Sequence, residues 1–301
     1  MTDALRIPDE LGWLRAMAGG PEWLAGLPER LATCAARWSL RVGPPFGYGM
    51  TSLVVPADLP DGTRAVLKLQ FPDQESAHEA TALRHWRGEG AVRLLAHDPD
   101  RRALLVERCD PGTPLHALPL DDALDVMVGL LPRLWVPVAP VDAGVPSGQP
   151  FTTLVDAVAG WTVRLPAAWE RTGRPYDRRF VDLALDLLAG LAGSQGAQVL
   201  VNQDLHAANV LRAEREPWLV IDPKPLLGER EFSLVPMVRG TELGHSATAV
   251  RRRLDRLSAE LGLDRERVRG WTIGHTMAWS IGGDKVFHDH IEVVRWLLGE
   301  R

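Results

Sequence analysis

Near residue 111 the apolar residues of this chain change their period, and that change limits what the chain can fold into. Before it, short apolar stretches alternate with turn signals; after it, apolar residues recur at helical spacing over long segments. Between about 39 and 71, "SLRVGPP", "MTSLVVPADLP" and "TRAVLKLQF" read as three strands separated by "FGYG" and "PDG", the second a hairpin signal. "SAHEATALRHWRG" comes next, with Ala77, Ala80, Leu83 and Trp86 three apart and Gly88 at its end, the pattern of one helix. "AVRLLAHDPDRRALLVERCDPG" then gives two strands around "DPDR". Residues 1–110 are expected to form a small antiparallel sheet domain.

From 111 to 301 the stretches 120–135, 151–170, 177–195, 243–262, 265–281 and 286–298 are expected to be mostly helical. The Pro-rich segment "VPVAPVDAGVPSGQP" at 136–150 reads as a surface loop. One strand-like region, 199–222, lies inside this helical part. The expected class is therefore α+β, a small sheet domain followed by a larger, mainly helical one. The net charge of −5, with both signs mixed along the chain, lacks the basic stripe that nucleic acid requires. No run of 18 uncharged apolar residues is present, and "MTDALRIPDELGW" carries acids where a signal peptide needs a basic region, so a cytoplasmic protein with no membrane partner is expected. Cys34 and Cys109 are too few for a disulfide framework.

The chemistry-bearing stretch is "VNQDLHAANVL" at 201–211, which sets Asp204, His206 and Asn209 among apolar residues, with Asp222 following at the end of the apolar "WLVI". Phosphoryl transfer needs a carboxylate to orient the attacking hydroxyl and hard oxygen ligands for a divalent cation beside the phosphates. Asp204 suits the first need, and Asn209 with Asp222 the second. The chain has only three lysines, and Lys68 sits in the strand "AVLKL" with Glu79 on the next helix to hold it, as a phosphate-neutralising lysine requires. Each piece has an ordinary reading as well. The D-x-H-x-x-N pattern also caps turns, Ser76-x-x-Glu79 is also a capping box, and Lys68 also fits a solvent-facing strand position. Their order along the chain is what favours a kinase.

"HEATALRHWRGEGAVRLLAHD", "ALLVERCDPGTPL", "QDLHAANVL", "WLVIDPKPLLGEREF" and the turn "VRG" together resemble the protein-kinase-like aminoglycoside phosphotransferases, in their streptomycin and hydroxyurea kinase branch, over roughly residues 40 to 300. The resemblance implies a bilobal fold, a nucleotide lobe over 1–110 and a helical lobe over 111–301, with ATP and Mg2+ as cofactors. It implies that Asp204 is the catalytic base, that Asn209 and Asp222 hold magnesium, and that Lys68 contacts the ATP phosphates with Glu79 behind it. The segment around Glu107 and Cys109 becomes the hinge whose backbone meets adenine, and "FGYGM" with Gly47 and Gly49 the nucleotide-covering loop. Two departures stand out. Asn202 and Gln203 occupy the place of the family's usual His-Gly pair, so Asn202 is expected to brace the loop through a different hydrogen bond; Ser233 stands where an Asp is common. His206 reads as a residue that orients the loop.

The implied acceptor is a small molecule, a cationic aminoglycoside such as streptomycin, which calls for carboxylates and a stacking surface. Glu229, Glu231, Glu242 and Asp284 are the candidates, with Trp271 and Trp279 nearby in sequence. Two alternatives stay open: a kinase of another small hydroxyl compound such as hydroxyurea, a sugar or an amino sugar, and a nucleotide-binding regulator without catalysis. The intact set Lys68, Asp204, Asn209 and Asp222 argues against the regulator.

Overall fold

A computed structural model describes residues 5–47, 49–138 and 151–300. Its first lobe is a five-stranded antiparallel sheet of β1 (Arg41–Val42), β2 (Ser52–Asp58), β3 (Arg64–Gln70), β4 (Leu94–Asp98) and β5 (Ala103–Glu107), ordered β1-β2-β3-β5-β4. The alternation of β3 decides which face carries the charge. Ala65, Leu67 and Leu69 bury one face, so Val66, Lys68 and Gln70 must point to the other. Lys68 stands opposite Val54 of β2 and Leu104 of β5, in the middle of the sheet.

The face carrying Leu67 and Leu69 is covered by segments that the sequence pattern had not marked as elements. A 3-10 helix at Asp9–Ala16, α1 (Gly20–Ala25) and α2 (Leu27–Arg37) pack Leu11, Leu14, Trp23, Leu27 and Leu31 against Leu53, Val55, Leu67 and Leu69. Trp23 adds a hydrogen bond from Nε1 to the carbonyl of Gln70 at 3.0 Å. On the opposite side runs α3 (Glu79–Trp86), whose Ala80, Leu83 and Trp86 join Leu104 and Val106 in the main core.

The second lobe holds α4 (Leu120–Leu134), α5 (Leu154–Arg171), α6 (Arg178–Ala192), α7 (Val235–Arg239), α8 (Ala247–Glu260), α9 (Arg265–Ala278) and α10 (His288–Leu297), close to the expected helical stretches except for the five-residue α7, which lies outside all of them. Of the Pro-rich segment expected to be a surface loop, residues 139–150 lie outside the described residues. Glycines let α9 approach α6 closely: a Cβ on Gly274 would lie 2.8 Å from Leu188 Cγ. The strand-like region resolves into two antiparallel pairs, β6 (Gln198–Asn202) with β9 (Pro225–Glu229) and β7 (Val210–Arg212) with β8 (Trp218–Val220). A small hairpin, β10 (Ile281–Gly282) and β11 (Lys285–Val286), precedes α10.

The β7–β8 hairpin also docks on the first lobe. Val92 N donates to Val220 O at 3.0 Å and Val220 N to Gly90 O at 2.9 Å. That contact fixes the residues just after β8 beneath the face of the sheet that carries Lys68.

Candidate active site

β6 ends at Asn202, with Gln203 and Asp204 directly after it, and the side chain of Asn202 organises the loop that carries them. Its Oδ1 accepts hydrogen bonds from the backbone N–H of Asp204 and of Lys224, both at 3.0 Å. Gln203 N donates to Lys224 O at 3.0 Å. Asn209 closes the loop from its far end, its Nδ2 donating to Asp204 O at 3.0 Å and its carbonyl accepting from Ile221 N at 2.9 Å. Two segments distant in sequence, 202–209 and 221–224, are thereby held as one unit. Within it Asp222 has φ 52°, a left-handed conformation that an aspartate holds only when its surroundings enforce it.

Lys68 enters from the sheet. Its Nζ lies 2.6 Å from Glu79 Oε2 and also contacts Asp222 Oδ1, so one ammonium bridges the two lobes. Gln70, on the same face of β3, donates to the same Glu79 oxygen at 2.6 Å. Glu79 is therefore a positioning group, and the capping box does not form: Ser76 instead bonds Asp73, and α3 begins after an uncapped His78. The Lys68 and Glu79 side chains are 7% and 3% exposed, whereas that of Asp222 is 46% exposed and free to take further ligands on its open side. Burial by itself would lower the Lys68 pKa, but the Asp222 and Glu79 carboxylates outweigh it and raise it, keeping the ammonium charged. Burial works against the Asp222 carboxylate too, yet Lys68 holds its pKa below the ordinary value.

A second cation stands beside Asp204. Lys224 Nζ lies 3.2 Å from Asp204 Oδ2 and 3.3 Å from Glu75 Oε2. Neither Lys224 nor Glu75 was a sequence candidate; the first could have been found as one of three lysines, two residues after Asp222, while nothing marks Glu75. His206 Nδ1 lies 2.6 Å from Glu242 Oε1, and its Nε2 3.9 Å from Asp204 Oδ1. That arrangement suits an orienting residue. Asp204, Asn209, Asp222, Lys68 and Glu79 are thus brought together at one junction of the lobes.

A match to the model of the aminoglycoside/hydroxyurea antibiotic resistance kinases extends over residues 37–282. The chain belongs to that family. It is 42% identical to a hydroxyurea phosphotransferase of Kitasatospora aureofaciens, covering 98% of this chain and 86% of that one. It is 40% identical to a streptomycin 6-kinase of Streptomyces griseus, covering 93% and 92%. In fold it is similar to an aminoglycoside phosphotransferase solved as a ternary complex with AMP-PNP and hygromycin B (TM-score 0.60, 16% identity, 89% of this chain and 95% of that one). It is likewise similar to a choline kinase of Streptococcus pneumoniae (TM-score 0.61, 12% identity, 89% and 97%). The resistance-kinase fold is therefore the protein-kinase-like α+β arrangement expected, and the chain is a phosphotransferase.

Several expectations change in this kinase's structure. Glu229 is not an acceptor carboxylate. It is buried in β9 and saturated, accepting from Gly196 N at 3.0 Å, Arg267 Nη2 at 2.7 Å and Trp271 Nε1 at 2.5 Å. Trp271 is correspondingly a core residue, edge-on to Phe232, and not a stacking surface. Asp284 lies exposed at the tip of the β10–β11 hairpin and Glu231 in a 3-10 turn at Arg230–Leu234. Of the four carboxylates only Glu242, through His206, touches the catalytic loop. Ser233 accepts from Trp135 Nε1 at 3.0 Å and donates to Arg230 O at 2.6 Å, so it braces its own turn and the loop is braced by Asn202 instead.

At the hinge the Glu107 side chain faces away into a pair with Arg215, 2.7 Å between Nε and Oε1. Burial pushes the Cys109 thiol up to about 12. Of the two glycines in "FGYGM", Gly49 is required by packing, since a Cβ there would fall 2.2 Å from Ser52 O, whereas Gly47 has ordinary room. Tyr48 lies outside the described residues. Asp222 and Asn209 offer hard oxygens, and among the described residues no cluster of three His, Cys, Asp or Glu side chains could hold a metal. Such a donor pair fits Mg2+ completed by phosphate oxygens and water, as opposed to an ion caged wholly by protein.

Proposed function

We propose that this kinase moves the γ-phosphate of ATP to a hydroxyl of an aminoglycoside such as streptomycin, with Mg2+ and in the cytoplasm, and that it confers resistance by doing so. The observation that carries this reading is the convergence of Lys68, from the sheet lobe, with Asp204, Asn209 and Asp222, more than 130 residues later in the chain, at one cleft between the lobes. In this reading residues 1–110 bind the nucleotide and residues 111–301 the acceptor. Asp204 orients the attacking hydroxyl and takes its proton. Lys68, held by Glu79, stabilises charge on the phosphates, and the backbone around Glu107 and Cys109 receives adenine. Asp222 and Asn209 would hold the magnesium ion, which supplies charge neutralisation on the phosphate oxygens. Among the described residues no helix is long and apolar enough to cross a membrane.

Turnover of a panel of streptomycin, other aminoglycosides, hydroxyurea and amino sugars with Mg-ATP tests the reading. Asp204→Ala should lose about a thousandfold in kcat while ATP affinity stays nearly intact. Normal turnover by that variant would remove Asp204 from the chemistry. A second reading, transfer to a small neutral acceptor, is favoured by the 42% identity to the hydroxyurea phosphotransferase. Turnover of hydroxyurea alone would select it.

A further inference from the structure

Immediately beside the catalytic loop is a pocket of about 130 Å³ whose walls come from both lobes. Glu75 contributes from the sheet lobe, Asp156, Trp161 and Arg164 from α5, and Gln203 from the position just before Asp204. Two features distinguish it from a surface dimple. Gln203 is only 6% exposed and lines this space, and among the described residues its side chain has no hydrogen-bond partner. The amide is not sealed from solvent, so a ligand in the pocket meets open donors and an open acceptor. Glu75, on the opposite wall, is tied to Asp204 through one lysine, with Lys224 Nζ 3.3 Å from Glu75 Oε2 and 3.2 Å from Asp204 Oδ2. A molecule held between Gln203 and Glu75 therefore lies against the residue that precedes Asp204 and against the carboxylate that Lys224 ties to it.

Size and charge narrow the ligand. Pockets that enclose a drug-sized molecule run to roughly 300–1,000 Å³, so this one holds a single ring or a small molecule and leaves the rest of a larger acceptor outside. Its wall carries the carboxylates of Glu75 and Asp156 and the exposed guanidinium of Arg164, and Lys224 already pairs with Glu75 at 3.3 Å. A hydroxyl-bearing group with a nearby cationic nitrogen fits by taking the place of Lys224 on Glu75.

We propose that this pocket seats the reacting end of the acceptor, with Gln203 reading its hydrogen-bonding groups and Glu75 its positive charge. The inference rests on the phosphotransferase reading above and names the acceptor subsite of that same centre. When a cationic acceptor pairs with Glu75, Lys224 is released from that carboxylate and remains beside Asp204, where the phosphoryl group is transferred.

Steady-state kinetics of wild type, Gln203→Gly, Glu75→Gln and Gln203→Glu, with streptomycin and with hydroxyurea at saturating Mg-ATP, test this, together with nucleotide affinity by calorimetry and melting temperature. A lost hydrogen bond to a charged group corresponds to about tenfold or more in binding. Glu75→Gln should raise KM for streptomycin by about that factor and change KM for neutral hydroxyurea severalfold less, with ATP affinity unchanged. Gln203→Gly should raise KM for whichever acceptor the wild type uses. Gln203→Glu keeps the size, adds charge, and should shift the kcat/KM ratio towards streptomycin, a gain that misfolding cannot mimic. If the wild type is active and all three variants keep every acceptor KM within about twofold, the pocket is not the acceptor subsite although the kinase reading stands. If the wild type phosphorylates none of the panel, the kinase reading fails and this one falls with it.

Discussion

Asn202 offers a test of how the catalytic loop is held. Its side chain is 3% exposed and a single atom, Oδ1, accepts from two backbone donors, Asp204 N and Lys224 N, each at 3.0 Å. Asn202→Ala strips both donors of their partner at once. Each unsatisfied buried donor costs about 1–3 kcal/mol; water entering the emptied space and removal of the buried, partnerless Asn202 Nδ2 recover part of it, so the net loss of stability should be roughly 1–3 kcal/mol. The same change frees the segments carrying Asp204 and Lys224 to move apart. Since a displacement near 1 Å can cost about a hundredfold in rate, kcat should fall by about ten- to a hundredfold. Nucleotide affinity should hold, because Lys68 and Glu79 are anchored in the sheet lobe. Urea unfolding followed by tryptophan fluorescence gives the first quantity, and initial rates at saturating substrates the second. A shift below about 0.5 kcal/mol with unchanged kcat would show that Oδ1 is not what braces the loop.

Buried groups outside the chemistry give three further expected outcomes. His275 is fully buried, and burial, with Arg239 and His290 close by, lowers its pKa well below 6.5, so the folded protein keeps it neutral while the unfolded chain protonates. Its contribution is present above pH 6.5 and lost as pH falls towards the folded value, at up to about 1.4 kcal/mol per pH unit; urea midpoints at pH 7.5 and 5.5 should show it, and His275→Phe should flatten it. Glu229→Gln should cost about 1–3 kcal/mol through Arg267 and Trp271 and leave acceptor KM untouched, which separates a brace from a recognition residue. Gly274→Ala should cost about 1–3 kcal/mol, because the added methyl meets Leu188 Cγ at 2.8 Å; a melting curve unchanged from wild type would mean α6 and α9 can part without strain.

Sequence reading succeeded where one local pattern decides the outcome. Lys68 in the strand "AVLKL", read with Glu79 on the next helix to hold it, does pair with Glu79, and Gln70, in phase with Lys68 on the same face of the strand, shares that carboxylate. That shared phase is also what selects the ion pair over the capping box, since a capping Glu79 would have turned back to Ser76. The helices before residue 38 were missed although Leu27, Leu31 and Cys34 lie at four- and three-residue spacing on one face of α2. They are short, and their purpose, covering the outer face of the sheet, emerges only when β3 is seen to be buried on both sides.

The acceptor side failed for a different reason. The carboxylates that a cationic acceptor calls for suggested Glu229, but every residue of β9 is buried, so its carboxylate had to find partners inside the fold, and Arg267 with Trp271 supplied them. Glu75 has no pattern of its own; it becomes informative only because the lobes bring it to Lys224, which the docked loop has already set against Asp204. A catalytic loop can be read from sequence because its residues must keep fixed spacings to share one metal and one base. A recognition pocket needs only that its walls meet in space, and chain order places no such limit on them.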